Sequence, residues 1–293
     1  MVQIRHVIGA KQGGAALSSE GSSTESKPPV ALTIAGFDPS SGAGITADLQ
    51  VFAAHGLFGT ACITALTVQS TQDVAAVEPV HHLIAPTLAH LDADLPPAGI
   101  KIGMLATPEA VSAVAAYLRR LRAAGSKIPV VLDPVILSSS GASLLNRDGL
   151  ALIPHELFPL VDWITPNHAE LSALSQISAG HYLHDAMRAL SRDYLNLHIV
   201  ATGGDDPDSQ ARDTLLTPTG DLHHFEGERI NTTSTHGTGC AFSSALLARL
   251  ILGDSPLQAV AAAKAYVTEA LRRAPGVGHG HGPLNLLWPL QPR

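Results

Sequence analysis

One pattern recurs along this chain: a short β-branched, apolar run, a tip of glycine or small polar residues, then a helical stretch. Residues 30–35 are the first such run. Residues 36–44 follow as a small-residue loop, and 45–55 have a helical pattern with Gly56 positioned to cap it. Residues 59–68 and 98–104 repeat the apolar signature. Thr107-Pro108 then carries the N-cap and N1 chemistry that starts a helix, predicted to run to about Ala123. Residues 129–133 and 197–202 read as further buried strands, and 214–216 with 222–225 as a hairpin around Thr219-Gly220. Ser255 and Gln258 have capping-box spacing ahead of a helix to about Arg272. Strands alternating with helices, without an interior boundary or a repeat, predict a single α/β domain. Its mostly parallel central sheet is flanked by helices and has a small antiparallel edge. Such sheets bind ligands at the carboxyl ends of their strands, where the glycine tips fall. The domain is expected over residues 29–293, and residues 1–28 as a flexible extension.

The tip richest in chemistry is Thr235-His236-Gly237-Thr238-Gly239-Cys240, followed at once by an apolar, helix-favouring run over 241–250. Gly237 and Gly239 let the backbone approach a ligand without Cβ clashes. The first N–H groups of a helix have no intrahelical partner, and its dipole favours negative charge there. Together these predict an anion site suited to phosphate. Cys240 falls at the helix N-terminus, a position that lowers a thiol pKa from its free value of about 8.5. The residues alone equally allow a glycine turn before a core helix with a buried cysteine.

Other tips hold candidate side chains. Asp48 lies one helical turn beyond Gly44, where it faces the loop or serves as a solvated first-turn acid. Gln69, at the end of 59–68, has an amide that both donates and accepts, as a heterocycle edge requires; an ordinary loop glutamine is the commoner case. Asp133 at a strand tip is either a metal or water ligand or a turn former before Pro134. Asn167 and Glu170 have capping-box spacing, which favours helix initiation over an acid that organises Mg²⁺ and its waters. Gly203-Gly204 suits a backbone close to phosphate. His279 and His281 sit close together, but no third ligand has matching spacing, so a flexible glycine loop near the site is predicted. Cys62, inside an apolar run, reads as core. The loop over 36–44 is neither a Walker A motif nor a dinucleotide fingerprint. A net charge of −7 without a dense Lys/Arg patch argues against nucleic acid as the main partner. The two cysteines form no disulfide framework and fit a reducing, cytoplasmic setting. Residues 1–10 lack a signal-peptide core, and no run approaches the ~18 apolar residues of a membrane span.

Several segments, in order, resemble the hydroxymethylpyrimidine/phosphomethylpyrimidine kinases of thiamine biosynthesis, within the ribokinase-like superfamily. They are ALTIAGFDPSSGAGITADL over 31–49, ITALTVQST over 63–71, KIGML over 101–105, VLDPV over 131–135, ITPNHAE over 164–170 and THGTGC over 235–240. The resemblance implies a ribokinase-like kinase that transfers the γ-phosphoryl of ATP-Mg²⁺ to 4-amino-5-hydroxymethyl-2-methylpyrimidine, then phosphorylates the monophosphate. It implies an anion hole at Gly237, Thr238, Gly239 and Cys240, with Cys240 as general base. It assigns Gln69, Asp48, Gly36 and Met104 to the substrate, and Asn167, Glu170, Thr202 and Gly204 to the nucleotide. Asp133 and Glu170 go to Mg²⁺, largely through water. It also implies a homodimer. The chain departs from the family at Ser139 and Thr202, where many members carry lysines, and at Ala142, where many carry an acid. These losses bear on the second transfer, whose acceptor is anionic. A pyridoxal kinase of the same superfamily and a catalytically weak pyrimidine-binding protein are the alternative readings.

Overall fold

The computed structural model describes residues 27–138, 141, 144–204 and 211–291. Apart from residues 27 and 28, the expected N-terminal extension lies outside them, as do Ser139 and Ala142. β1 (Val30–Phe37) sits between β2 (Phe58–Gln69) and β4 (Gly99–Ile102), parallel to both. The parallel sheet continues through β5 (Val130–Leu132), β6 (Trp163–Ile164) and β7 (His198–Ala201). Antiparallel strands finish both edges: β3 (Val74–Pro79) beside β2, and the hairpin of β8 (Ala211–Leu216) and β9 (Leu222–Gly227) beside β7. The full order is β3-β2-β1-β4-β5-β6-β7-β8-β9. This is the predicted architecture.

Alternation along the central strands sorts their side chains into two apolar layers, because neighbouring residues on a strand point to opposite faces. Leu32, Ile34, Ile100, Ile102, Leu132 and Ile164 pack with α2 (Ile84–Asp94), α3 (Pro108–Ala123), α4 (Arg147–Glu156), α5 (His168–Ser175) and α6 (Ala179–Asp193). Ala31, Val131, Trp163 and Val200 pack with α1 (Gly44–Ala54), α7 (Thr238–Ile251) and α8 (Pro256–Arg272). Burial on both faces explains why these strands read as continuous apolar runs.

The predicted starts and stops are mostly in place. Thr107 Oγ1 accepts from the Ala110 N–H at 3.2 Å, and capping boxes open α5 and α8. Gly56 and Gly220 hold φ of +76° and +88°. The elements without a sequence prediction carry weaker or mixed signals, although Asn146 Oδ1 caps α4 by accepting from the Gly149 N–H at 2.8 Å. β3 is an edge strand of small residues, α2 has no side-chain cap, α4 contains Pro154, and α6 carries non-helical geometry at Tyr182. The chain leaves β1 toward β2 and returns on its other side as β4. That reversal opens a crevice at the carboxyl ends of the strands.

Candidate active site

A cavity of about 850 Å³ occupies this crevice. The start of α7 lies against it. Gly237 is the N-cap, with φ +82°, and a Cβ there would stand 1.9 Å from the Gly42 carbonyl oxygen. Only glycine fits both the backbone conformation and that approach. Gly237 to Cys240 line the cavity, so the unpaired N–H groups of the first turn are available to an anion.

The sheet order divides the cavity. At the β1–β2–β4 end are Gly36, Gln69 and Met104, with Asp38 and His236 between them. Met104 Sδ packs so closely on Gly36 that a Cβ there would meet it at 2.9 Å. Toward β7 and β8 lie Ala211, Ile230, Val267 and Leu271, an apolar slot flanked by Lys264 and Arg229. Asp133, Thr165, Asn167, Glu170, Thr202 and Gly204 line the middle and the β7 side. Asn167 and Glu170 form the capping box, with Asn167 Oδ1 accepting from the Glu170 N–H at 2.9 Å and Glu170 Oε2 from the Asn167 N–H at 3.0 Å.

The structure thus brings every sequence-derived site residue to one cavity except Asp48. That carboxylate is fully enclosed and faces neither the cavity nor solvent. Its helix turns it inward to Lys101, whose Nζ donates to both oxygens at 2.9 Å. Thr33 Oγ1 and Ser244 Oγ donate at 2.6 and 2.7 Å. Burial alone would push the Lys101 ammonium down, but the Asp48 carboxylate outweighs it and holds the group above its ordinary range.

The Cys240 thiol also departs from expectation. Burial raises it to about 12, against the pull of Lys101 and of a hydrogen bond from the Gly44 backbone N–H. The helix N-terminus and the nearby ammonium do not compensate for lost water, and Asp133 and Asp48 add further repulsion for a thiolate. Asp133 lies beside the thiol, and its carboxyl is itself raised by burial. Ser243 Oγ donates to Asp133 at 3.1 Å.

The tail near His279 and His281 is not a free loop. The His281 N–H donates to Thr71 O at 2.7 Å, and the His236 N–H to Gly282 O at 3.1 Å. A Cβ at Gly280 would stand 2.1 Å from Thr71 O. His281 itself lines the cavity. Cys62 is core, as expected, and burial pushes its thiol to about 12.

Sequence reasoning missed Lys101, the Asp38–His236 pair, and the Lys264–Asp213 pair at 2.9 Å. A signal for Lys101 was present: a charge between Ile100 and Ile102 in a fully buried strand demands a partner. Thr165 was also missed. Its Oγ1 is buried in the middle of the cavity wall without a hydrogen-bond partner. Among the described residues, no group of three or more His, Cys, Asp or Glu could hold a metal directly.

An anion pocket at a helix start, at the switch point of an α/β sheet and between a polar recess and an apolar slot, defines a small-molecule kinase of the ribokinase-like class. Comparison with known proteins agrees. Hydroxymethylpyrimidine/phosphomethylpyrimidine kinase of Synechococcus elongatus is 39% identical over 272 residues, covering 89% of this chain and 98% of that one. The solved phosphomethylpyrimidine kinase of Clostridium difficile 630 superposes with a TM-score of 0.69 at 33% identity, covering 83% and 99%. Pyridoxal kinase of Staphylococcus aureus, solved with pyridoxal, gives 0.79 at 26% identity, covering 89% and 94%. The profile of the family described as phosphomethylpyrimidine kinase matches residues 38–285, and this chain belongs to that family.

Proposed function

We propose that this kinase transfers the γ-phosphoryl of ATP to the hydroxymethyl group of 4-amino-5-hydroxymethyl-2-methylpyrimidine, and then phosphorylates the monophosphate. The observation that carries this reading is the meeting of Gln69, Gly36 and Met104 with the Gly237–Cys240 helix start in one cavity. The polar recess suits a small heterocycle, and the apolar slot by Val267 and Leu271 suits adenine. Between them the helix start receives the transferring group. Its backbone N–H groups are fixed before reaction and stabilise charge on the equatorial oxygens. Thr202, Gly204 and Asn167 extend that polar wall along the phosphates, and Arg229 lies at the same end, where the Lys264 ammonium is paired with Asp213.

Cys240 is the group at the anion pocket suited to take the substrate hydroxyl proton. A thiol raised to about 12 is protonated at neutral pH, so it works as a relay. The hydroxyl proton passes to Sγ as the thiol's own proton passes to the Asp133 carboxylate. Mg²⁺ fits the middle of the cavity. Glu170 would supply charge there, joined by Asp133 until the proton reaches it, and the unpartnered Thr165 hydroxyl would supply a site for a bridging water. When bound, the ion neutralises charge on the phosphates.

A homodimer is also part of this reading. Leu66 and Val68 are 43% and 63% exposed on β2, beside the edge strand β3, an apolar strip suited to a second copy. A cytoplasmic location and a single kinase unit over residues 29–293 complete it. Among the described residues no helix is long and apolar enough to cross a membrane.

ADP release with Mg-ATP and three acceptors tests the function: hydroxymethylpyrimidine, its monophosphate, and pyridoxal. Turnover on both pyrimidines is expected. Turnover on the first alone assigns the missing step to the lost lysines, and turnover on pyridoxal alone overturns the substrate.

A further inference from the structure

The Asp38–His236 pair has no part in the reaction described above, yet it is built into the floor of the recess. Both side chains are almost wholly enclosed, at 3% and 5% exposure. His236 Nε2 lies 2.7 Å from Asp38 Oδ2. Asp38 is held in turn by the Ser40 N–H at 2.8 Å, Ser40 Oγ at 2.9 Å and the Ala43 N–H at 3.0 Å. Burial would raise this carboxyl, but the hydrogen bonds from His236 and Ser40 outweigh it and keep it below the usual range. The imidazole cannot swing away. A Cβ at Gly42 would stand 2.2 Å from His236 Cδ2, so the loop backbone closes on the ring.

The same ring nitrogen meets Gln69, whose amide nitrogen lies 3.0 Å from His236 Nε2. Nε2 carries one proton, and the ionised Asp38 claims it. A nitrogen that donates cannot also accept, so an amide N–H facing it is unmatched. Turning the amide over resolves this. Its oxygen then shares the Nε2–H, and its NH₂ faces Thr67 Oγ1, which lies 3.3 Å from the amide oxygen as placed and donates to Phe37 O at 3.0 Å. The second lone pair and second N–H of the amide remain for a ligand.

We propose that Asp38 and His236 are positioning residues that fix which way the Gln69 amide faces, and through it the preference of the site for an aminopyrimidine edge. This rests on the reading of Gln69 as the heterocycle-facing residue. The amide so fixed offers an acceptor beside a donor, the complement of an exocyclic amine next to a ring nitrogen. A 4-oxo pyrimidine presents the reverse order. It cannot turn round to match, because its hydroxymethyl group must still reach Cys240. A buried amide left mismatched rejects the wrong edge strongly.

The test is calorimetric binding of the 4-amino ligand, its 4-oxo analogue and ADP to four variants, with melting temperatures recorded for each. Asp38→Asn lets His236 present either polarity, and His236→Leu removes the donor. Each is expected to reduce the amino-over-oxo preference at least ~10-fold with ADP affinity unchanged. His236→Gln, whose amide nitrogen can occupy the position of Nε2, is expected to restore the preference to within about 3-fold. Gln69→Ala is the control. If it lowers the preference while Asp38→Asn and His236→Leu leave it intact, the relay is overturned and the role of Gln69 stands. If Gln69→Ala leaves the preference intact, the reading beneath the relay fails with it. Should His236→Leu fail to fold, an unchanged preference in Asp38→Asn still overturns the relay. Equal losses for both pyrimidines in every variant would mark a purely structural pair and also overturn it.

Discussion

Lys101→Met tests the charge pair beneath the site. Lys101 and Asp48 have no exposed side-chain surface, and the ammonium reaches both carboxylate oxygens at 2.9 Å. Methionine keeps most of the stem and its packing but removes the charge. Asp48 is left with two hydroxyl donors, Thr33 and Ser244, in place of a counter-ion. Breaking a buried pair by removing one partner costs about 3–5 kcal/mol. The surviving hydroxyl bonds place this case near the lower end, at about 3 kcal/mol. A domain of this size loses about 2–4 °C of Tm per kcal/mol, so a fall of roughly 6–12 °C is expected. The double variant Lys101→Met with Asp48→Leu removes both charges and keeps similar shapes. Apolar replacement of a whole buried pair is often neutral, so most of the loss should return. Equilibrium urea unfolding of the two single variants and the double variant gives the coupling directly. A single variant within about 1 kcal/mol of the parent, or a double variant no more stable than the worse single, would refute the reasoning.

Cys240→Ala is expected to lower kcat by at least ~10²-fold in the ADP-release assay, the scale of a lost proton acceptor; near-parental turnover would remove Cys240 from the reaction. Gly237→Ala forces a Cβ into the Gly42 carbonyl at positive φ, so thermal denaturation should show a loss of more than ~1 kcal/mol along with lost phosphate binding. Stability should fall on the alkaline side. The Cys62 thiol is about 12 in the folded chain and about 8.5 when unfolded, so the unfolded state loses its proton first. The contribution is intact below pH ~8.5 and declines by about 1.4 kcal/mol per pH unit up to about 12, and Cys62→Ala should flatten that limb of a pH series of urea melts.

The parallel sheet was legible because residues 30–35, 98–104 and 129–133 are mostly apolar runs buried on both faces, and the glycine tips marked the ends at which the cavity lies. The starts of α3, α5 and α8 were legible because a side chain at each supplies a cap. β3 and α6 were not, since a short edge strand ending in Glu-Pro and a kinked helix carry weak local signals. At the site, residue types and spacing allow an anion pocket at Gly237–Cys240, and the family resemblance singles out Gln69. What they do not carry is direction. Asp48 sits four residues beyond Gly44, but only the packing of α1 on α7 decides that it turns away from the loop toward Lys101. The thiol of Cys240 illustrates the same limit. Its place on the helix is a local fact, whereas the burial that raises it, and the Asp133 and Asp48 carboxylates that add to it, come from the folded surroundings.

Residues 278–283, which tie Thr71 to the loop ahead of α7, follow every strand of the sheet and every long helix in the chain. A ribosome therefore releases this segment after every strand and long helix has been delivered, with Leu284 and Leu286 of the second apolar layer still to follow, and N-terminal parts of a chain generally fold first. A nascent chain can hold its sheet while the trough above it still lacks one bank. The order of synthesis thus sets the order of competence, with shape first and ligand capture last. The same order describes damage: one proteolytic nick between Arg273 and Gly278 spares every strand and long helix but severs the covalent hold on that bank, together with Leu284 and Leu286. Such a molecule would keep a folded protein's spectrum and lose its hold on small molecules.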